Sequence, residues 1–236
     1  SIDTSYPTSP NWFILEEPKN TKEHKPDDLE QKISEELPSM ATYDQFLKAG
    51  LFEKAQHAAA AIASEYHRMI AFVDICRELS NKKHFDQALL LARTHLQGHF
   101  ASRALSSICR SKVKTSQMNE ALEIAELIPD ELSKELILST ISRTLAEMGE
   151  TQKSTSVAYR ISNELSRSLT FETNSKKLVE IGRIDEALEV ANRITNDYGK
   201  RRALAPIQHA IEKSGDKKKA EELLVLINSL PYACID

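Results

Sequence analysis

The sequence predicts an all-α protein, an α-solenoid of stacked antiparallel helix hairpins with a 33-residue repeat, and three observations predict it. Ala55, Ala88, Ala121, Ser154, Ala187 and Ala220 stand at a constant interval of 33 residues with no insertion between them, the mark of one structural unit copied along the chain. Companion columns keep step at Ala59, Ala92, Ala125, Ala158 and Ala191, and at Ile62, Ile128, Ile161, Ile194 and Ile227. Within a unit, apolar residues recur three and four apart, as in Ile184, Ala187, Leu188, Ala191 and Ile194, which is the period of a helix with one buried face.

Two regions follow from this pattern, an arm over residues 1–39 and a repeat domain over residues 40–236. The arm holds five prolines, many charges and no sustained helical period, the composition of a linker. Its one apolar cluster, Trp12, Phe13, Ile14 and Leu15, contains the only Trp of the chain and is a candidate docking element. From residue 40 onward two helices fit each period. A weak first helix precedes Gly50. Helices carrying the alanine column are predicted over 53–64, 86–96, 119–128, 152–163, 185–195 and 218–229, and their partners over 68–80, 101–113, 134–147, 167–180 and 200–213. Gly50, Gly149, Gly182 and Gly215 recur where a partner helix must end in a left-handed residue, a conformation that suits glycine. Lys83 and Ser116 take that place in two copies, so those turns are expected to be less sharply defined.

The partner helices have their own core columns, Phe72, Leu105, Leu138, Phe171 and Leu204, then Ile75, Ile108, Ile141 and Ile207. Cys76, Cys109, Ser142 and Ser175 come next, with Gln208 last; small side chains there let two helices approach closely. The unit over 150–182 breaks the pattern with Ser154, Thr170 and Asn174. A buried amide without partners costs about 1–3 kcal/mol, so Asn174 must find partners, bind something or mark a loosened hairpin.

Composition excludes several classes of protein. No apolar run approaches the roughly 20 residues that span a bilayer, and residues 1–10 lack the basic start and apolar stretch of a secretory signal. Three cysteines without CxxC spacing indicate neither a disulfide framework nor a zinc knuckle, so a reducing cytoplasm fits best. The net charge of −4 is unevenly spread: nine acids against four lysines put −5 on residues 1–40 and leave +1 on the rest.

Gly followed five residues later by Ala, as in Gly50 to Ala55, Gly182 to Ala187 and Gly215 to Ala220, resembles the tetratricopeptide repeat. So does a small residue seven positions before the glycine, as Ser142 stands before Gly149. The resemblance covers roughly residues 40–230. The period departs from the usual 34 of that family, and its Trp, Tyr and terminal Pro are mostly absent. What the resemblance implies is a right-handed superhelix whose partner helices line the concave wall, and a role in binding proteins; some members hold the acidic C-terminus of a chaperone with Lys, Arg and Asn side chains. Ankyrin repeats share the period of 33, but their Thr-Pro-Leu-His signature is missing.

On that wall Arg77, Arg110, Arg143, Lys176 and His209 form one row, with Arg103, Lys114 and Arg202 on neighbouring rows. Hairpins stacked about 10 Å apart would turn the row into a cationic ladder for an extended acidic ligand. The alternative is that acids such as Glu78, Glu147 or Glu180 pair with it, for surface pairs worth only about 0–1 kcal/mol. A further basic row, Arg68, Lys134, Arg167 and Lys200, opens the partner helices and reads as salt bridges at the turns. His95 and His99 are four apart, but His95 stands in the Ile column and no third ligand has suitable spacing, so no metal or other cofactor is expected. No phosphate loop, nucleophile elbow or acid–base pair of carboxylates is present, and no enzyme activity is expected. The expected function is a scaffold for a protein or peptide partner of acidic character. RNA is the second reading, weakened by the near-neutral repeat domain.

Overall fold

The computed structural model describes residues 40–231; the arm, its cluster Trp12 to Leu15, and Cys234 lie outside the described residues. Twelve helices and no strand make up the described part. They are α1 (Met40–Lys48), α2 (Phe52–Ala60), α3 (Glu65–Asn81), α4 (Phe85–His95), α5 (Gly98–Lys114), α6 (Met118–Ala125), α7 (Glu131–Glu147), α8 (Thr151–Ala158), α9 (Glu164–Glu180), α10 (Ile184–Ala191), α11 (Asp197–Ser214) and α12 (Lys217–Ser229). Short helices carrying the alanine column alternate with long ones, and each kind begins at the interval of that column, as at Phe52, Phe85 and Met118.

Each long helix packs on the long helix before and after it, and on the short helices beside it in sequence; the short helices make no comparable contact with one another. The long helices thus form one continuous wall, each against the next, with the short helices on its other side. The alanine column makes the packing possible. Ala55, Ala88, Ala121 and Ala187 are fully buried, with Ser154 and Ala220 nearly so, where a larger side chain would hold the two helices of a hairpin apart. Ile75, Ile108, Ile141 and Ile207 fill the space opposite with no exposed surface. Beside them the small polar column adds a hydrogen bond as well as room: the thiols of Cys76 and Cys109 donate to the carbonyls of Ala88 and Ala121 at 3.5 and 3.4 Å, and the Ser142 hydroxyl donates to that of Ser154 at 2.7 Å.

The turns differ from expectation in three ways. The long helices begin about three residues earlier than the periodicity indicates. Ser64, Asp130, Asn163 and Asn196 are the N-caps of four of them, and each side chain accepts the backbone N–H three residues on, satisfying a donor that the helix itself leaves unpaired; Gln97 stands at the cap of α5 without such a bond. Three short helices, α6, α8 and α10, correspondingly end at the second alanine column, and Ile128, Ile161 and Ile194 are buried in the turns that follow. Second, Lys83 and Ser116 adopt the left-handed conformation with φ of 65° and 60°. Their turns close with the same pair of backbone bonds as the glycine turns: Lys83 N–H to Ser80 and His84 N–H to Leu79 match Gly182 N–H to Val179 and Arg183 N–H to Leu178. They are as well defined as the others, because two carbonyl-capping bonds outweigh the roughly 1–2 kcal/mol cost of a left-handed non-glycine residue. Third, α4 runs on to His95, which is exposed, and Leu96 takes the buried turn position held by Ile elsewhere.

The broken unit is repaired internally. Asn174 is fully buried, and its amide donates to the hydroxyls of Ser142 and Ser154 at 2.7 and 2.8 Å. The side chain that departs from the Ile column is thus partnered by the serine that departs from the Ala column. Thr170 lies 3.0 Å from the Ser139 hydroxyl and 2.8 Å from the Ser166 carbonyl. Asn174 Oδ1 and the Ser175 hydroxyl have no partner among the described residues.

Candidate functional site

Arg77, Arg110, Arg143, Lys176 and His209 are each the thirteenth residue of their helix, on α3, α5, α7, α9 and α11, and so share one register position along the stacked long helices. Arg103 and Arg202 are each the sixth residue, on α5 and α11. Thirteen minus six is seven residues, two turns, which separates the two rows by about 10 Å along the helix axis.

The charges of these residues are not equally available. Arg77 pairs with Asp74 at 3.0 Å and approaches Glu78 at 3.8 Å, and Asp74 also accepts from the Tyr43 hydroxyl. Burial and the Asp74 carboxylate push the Tyr43 hydroxyl up to about 12. Lys176 and Arg202 share Glu172, at 2.6 and 3.0 Å, and that carboxylate is only 4% exposed. These three cations therefore knit α3 to itself and α9 to α11. Glu147 and Glu180 are engaged by Lys177 instead of the row. Arg103, Arg110, Arg143 and His209 are exposed and have no ion pair among the described residues. The vacant charges thus concentrate on α5 and α7.

One feature of the same wall is not legible from helical periodicity alone. Leu132 and Leu136 on α7, and Leu165 and Leu169 on α9, are 65%, 56%, 74% and 54% exposed. They occupy the second and sixth positions of their helices, with Tyr66 and Tyr198 exposed at the second position of α3 and α11. A signal was available: the sixth-position column mixes Arg103 and Arg202 with Leu136 and Leu169, and a column that accepts arginine faces water. Between the leucines and the cations, the hydroxyls of Thr140 and Thr173 turn back to the carbonyls of Leu136 and Leu169 at 2.8 and 2.9 Å.

Three members of the other basic row, Arg68, Lys134 and Arg167, tie the turns together. Arg68 and Arg167 donate to the carbonyls of Ile62 and Ile161 at 2.9 and 2.8 Å, and Lys134 pairs with Glu126 at 2.6 Å. The Glu126 carboxyl is held below its usual range by Lys134, with help from Arg160. His95 and His99 sit on different helices, His95 stacked on Phe72 at 4.3 Å and His99 edge-on to Phe100. Among the described residues no three His, Cys, Asp or Glu side chains are placed to hold a metal ion. Two clefts, of about 380 Å³ beside Met118, Met148 and Arg160 and about 390 Å³ beside His57, Phe72 and His95, are lined by no residue of the cation row. No described helix is long and apolar enough to cross a membrane.

No family model matches this sequence, and no curated protein does. Among solved structures, the chain is similar to two crystal structures of a kinesin light chain from Podosopora anserina with nearly identical TPR-like repeats, one of them a point variant. The variant aligns at 14% identity over 69% of this chain and 93% of its own, with a TM-score of 0.37. The other aligns at 13% identity over 71% and 96%, with a TM-score of 0.38.

Proposed function

We propose that this protein is a non-catalytic interaction scaffold whose long-helix wall takes up an acidic segment of a partner protein. The observation that supports this reading is the pair Arg110 and Arg143, exposed at the same position of adjacent helices and without an acid among the described residues. Holding two like charges about one helix spacing apart gives the fold nothing, whereas an acidic ligand lying across both relieves their repulsion. Arg103 and His209 extend the vacant charge, while Arg77, Lys176 and Arg202 frame it from within ion pairs. The two buried, free cysteines suit a reducing compartment such as the cytoplasm.

The test is titration of a fluorescent acidic peptide with the intact chain and with an Arg110→Glu, Arg143→Glu variant. The variant is expected to bind at least tenfold more weakly with its circular dichroism unchanged; equal affinity would remove the row as a binding surface. RNA is the competing ligand, and it is disfavoured by leucines set beside the cations. It would be recognised by capture of any polyanion, with affinity falling steeply as salt rises.

A further inference from the structure

We infer that the bound segment is an amphipathic α-helix laid across α5, α7 and α9, its apolar face on Leu132, Leu136, Leu165 and Leu169 and its acidic flank on Arg110 and Arg143. This rests on the scaffold reading above and replaces the extended ligand expected from the sequence with a folded one. Four leucines more than half exposed on two adjacent helices form a contiguous apolar surface of the kind that soluble proteins cover with a partner. Vacant cations border it on the same wall, so the partner must be apolar on one side and acidic on the other.

Dimensions select the helix. The leucines of the sixth position and the arginines of the thirteenth lie about 10 Å apart along α7 and its neighbours, which matches the roughly 10–12 Å diameter of a helix with side chains. An extended chain turns successive side chains to opposite sides, so it could meet both rows only with leucines and acids in strict alternation, at about 7 Å between like residues, which is out of step with the spacing of the long helices. Along the array, neighbouring long helices are spaced by about 8–10 Å, and seven residues of a partner helix rise about 10.5 Å. Apolar residues at heptad spacing would therefore meet α7 and then α9. The strip between the two rows makes no polar demand, since the Thr140 and Thr173 hydroxyls are bonded to their own helices.

Three fluorescent synthetic peptides of equal net negative charge test this. The first places leucines on one helical face with glutamates along one flank. The second has the same composition with the leucines scattered around the helix, and the third keeps the first order but carries two central prolines that forbid a helix. Titrated with the full chain at physiological salt, the first is expected to bind at least tenfold more tightly than the others and to gain helical circular dichroism. A Leu136→Gln, Leu169→Gln variant, altered only at exposed positions, is expected to lose at least tenfold in affinity for the first peptide while keeping its fold. Equal binding of all three peptides, abolished by the Arg110→Glu, Arg143→Glu variant, would overturn the helical ligand and leave the acidic scaffold standing. Binding of the first peptide that survives the arginine variant and fails in the leucine variant would overturn the scaffold reading, and with it the acidic flank. Dimerisation of the parent chain that the leucine variant abolishes would make a second copy the occupant and overturn the inference.

Discussion

Asn174 and Ser154 depart from two different columns yet bond to each other, and replacing both is expected to stabilise the protein where replacing either alone is not. The Asn174 amide makes two buried hydrogen bonds, to Ser142 and Ser154 at 2.7 and 2.8 Å, with a net value of about 0.5–1.5 kcal/mol each. Against them stands its Oδ1, which has no partner among the described residues, at a cost of about 1–3 kcal/mol. These nearly cancel. The balance then turns on apolar burial, and the same position holds fully buried Ile75, Ile108, Ile141 and Ile207 on the other long helices. Burying such a side chain is worth about 1.5–3 kcal/mol. Asn174→Ile alone strands the Ser154 hydroxyl, whose remaining partner is Ser142 at 3.3 Å, and offsets most of that gain. Ser154→Ala alone removes an acceptor from a buried amide and is expected to cost about 1 kcal/mol. Together the two substitutions should raise stability by about 1–3 kcal/mol, with a coupling of at least about 1 kcal/mol between neighbouring sites. Urea denaturation of the four chains of the cycle, followed by circular dichroism, measures the coupling. Stacked hairpins are stabilised unit by unit, so hydrogen exchange should place the gain in α8 and α9. A double variant less stable than the parent, or two strictly additive effects, would refute the compensation between the two columns.

Burial pushes the thiols of Cys76 and Cys109 from an ordinary 9.0 up to about 12, so neither should react with an alkylating agent at pH 8 until urea is added, as peptide mass mapping would reveal. A raised folded-state value means that the native state holds its protons longer, so this contribution to stability is complete below pH 9 and is lost as pH rises from 9 towards 12, at about 1.4 kcal/mol per pH unit for each cysteine. A Cys76→Ala, Cys109→Ala variant should show a flatter alkaline limb in its denaturation midpoints. Asn163→Ala should destabilise α9 by about 1 kcal/mol in the same denaturation assay, because Asn163 Oδ1 accepts the Ser166 N–H at 2.9 Å.

The alternation of helices and the residues at their contacts were legible because each unit repeats the same packing problem, and Ala121 or Ile108 can be compared with their counterparts. What escaped was decided by single side chains. The caps Ser64, Asp130, Asn163 and Asn196 are a column too, interrupted by Gln97, but it is a column of side chains that accept from backbone N–H groups and it carries no helical period. Leu96 displaces His95 from the core because the turn after α4 slips by one residue, an event that a fixed interval hides. Lys83 and Ser116 carry no glycine signature, yet the surrounding hydrogen bonds impose the conformation. On the wall, the row of cations was readable as a row, while the acids that engage Arg77, Lys176 and Arg202 come from the same or neighbouring helices and become visible only in three dimensions. The leucines were disguised by their own type, since leucine ordinarily marks a core.

Because the backbones of the short helices do not pack on one another, each hairpin is joined to the next chiefly through its long helix and the turns, with side-chain links such as Lys219 to Asp185 at 2.7 Å on the short-helix side. Such a stack is expected to bend like hinged slats: opening the short-helix side strains side-chain links but no helix packing, while the long-helix side keeps its seams. The distance from Arg110 to Arg143 can then stretch or shrink with the curvature, and a guest whose charges are slightly out of pitch could be met by flexing the whole frame rather than by unfolding any part of it.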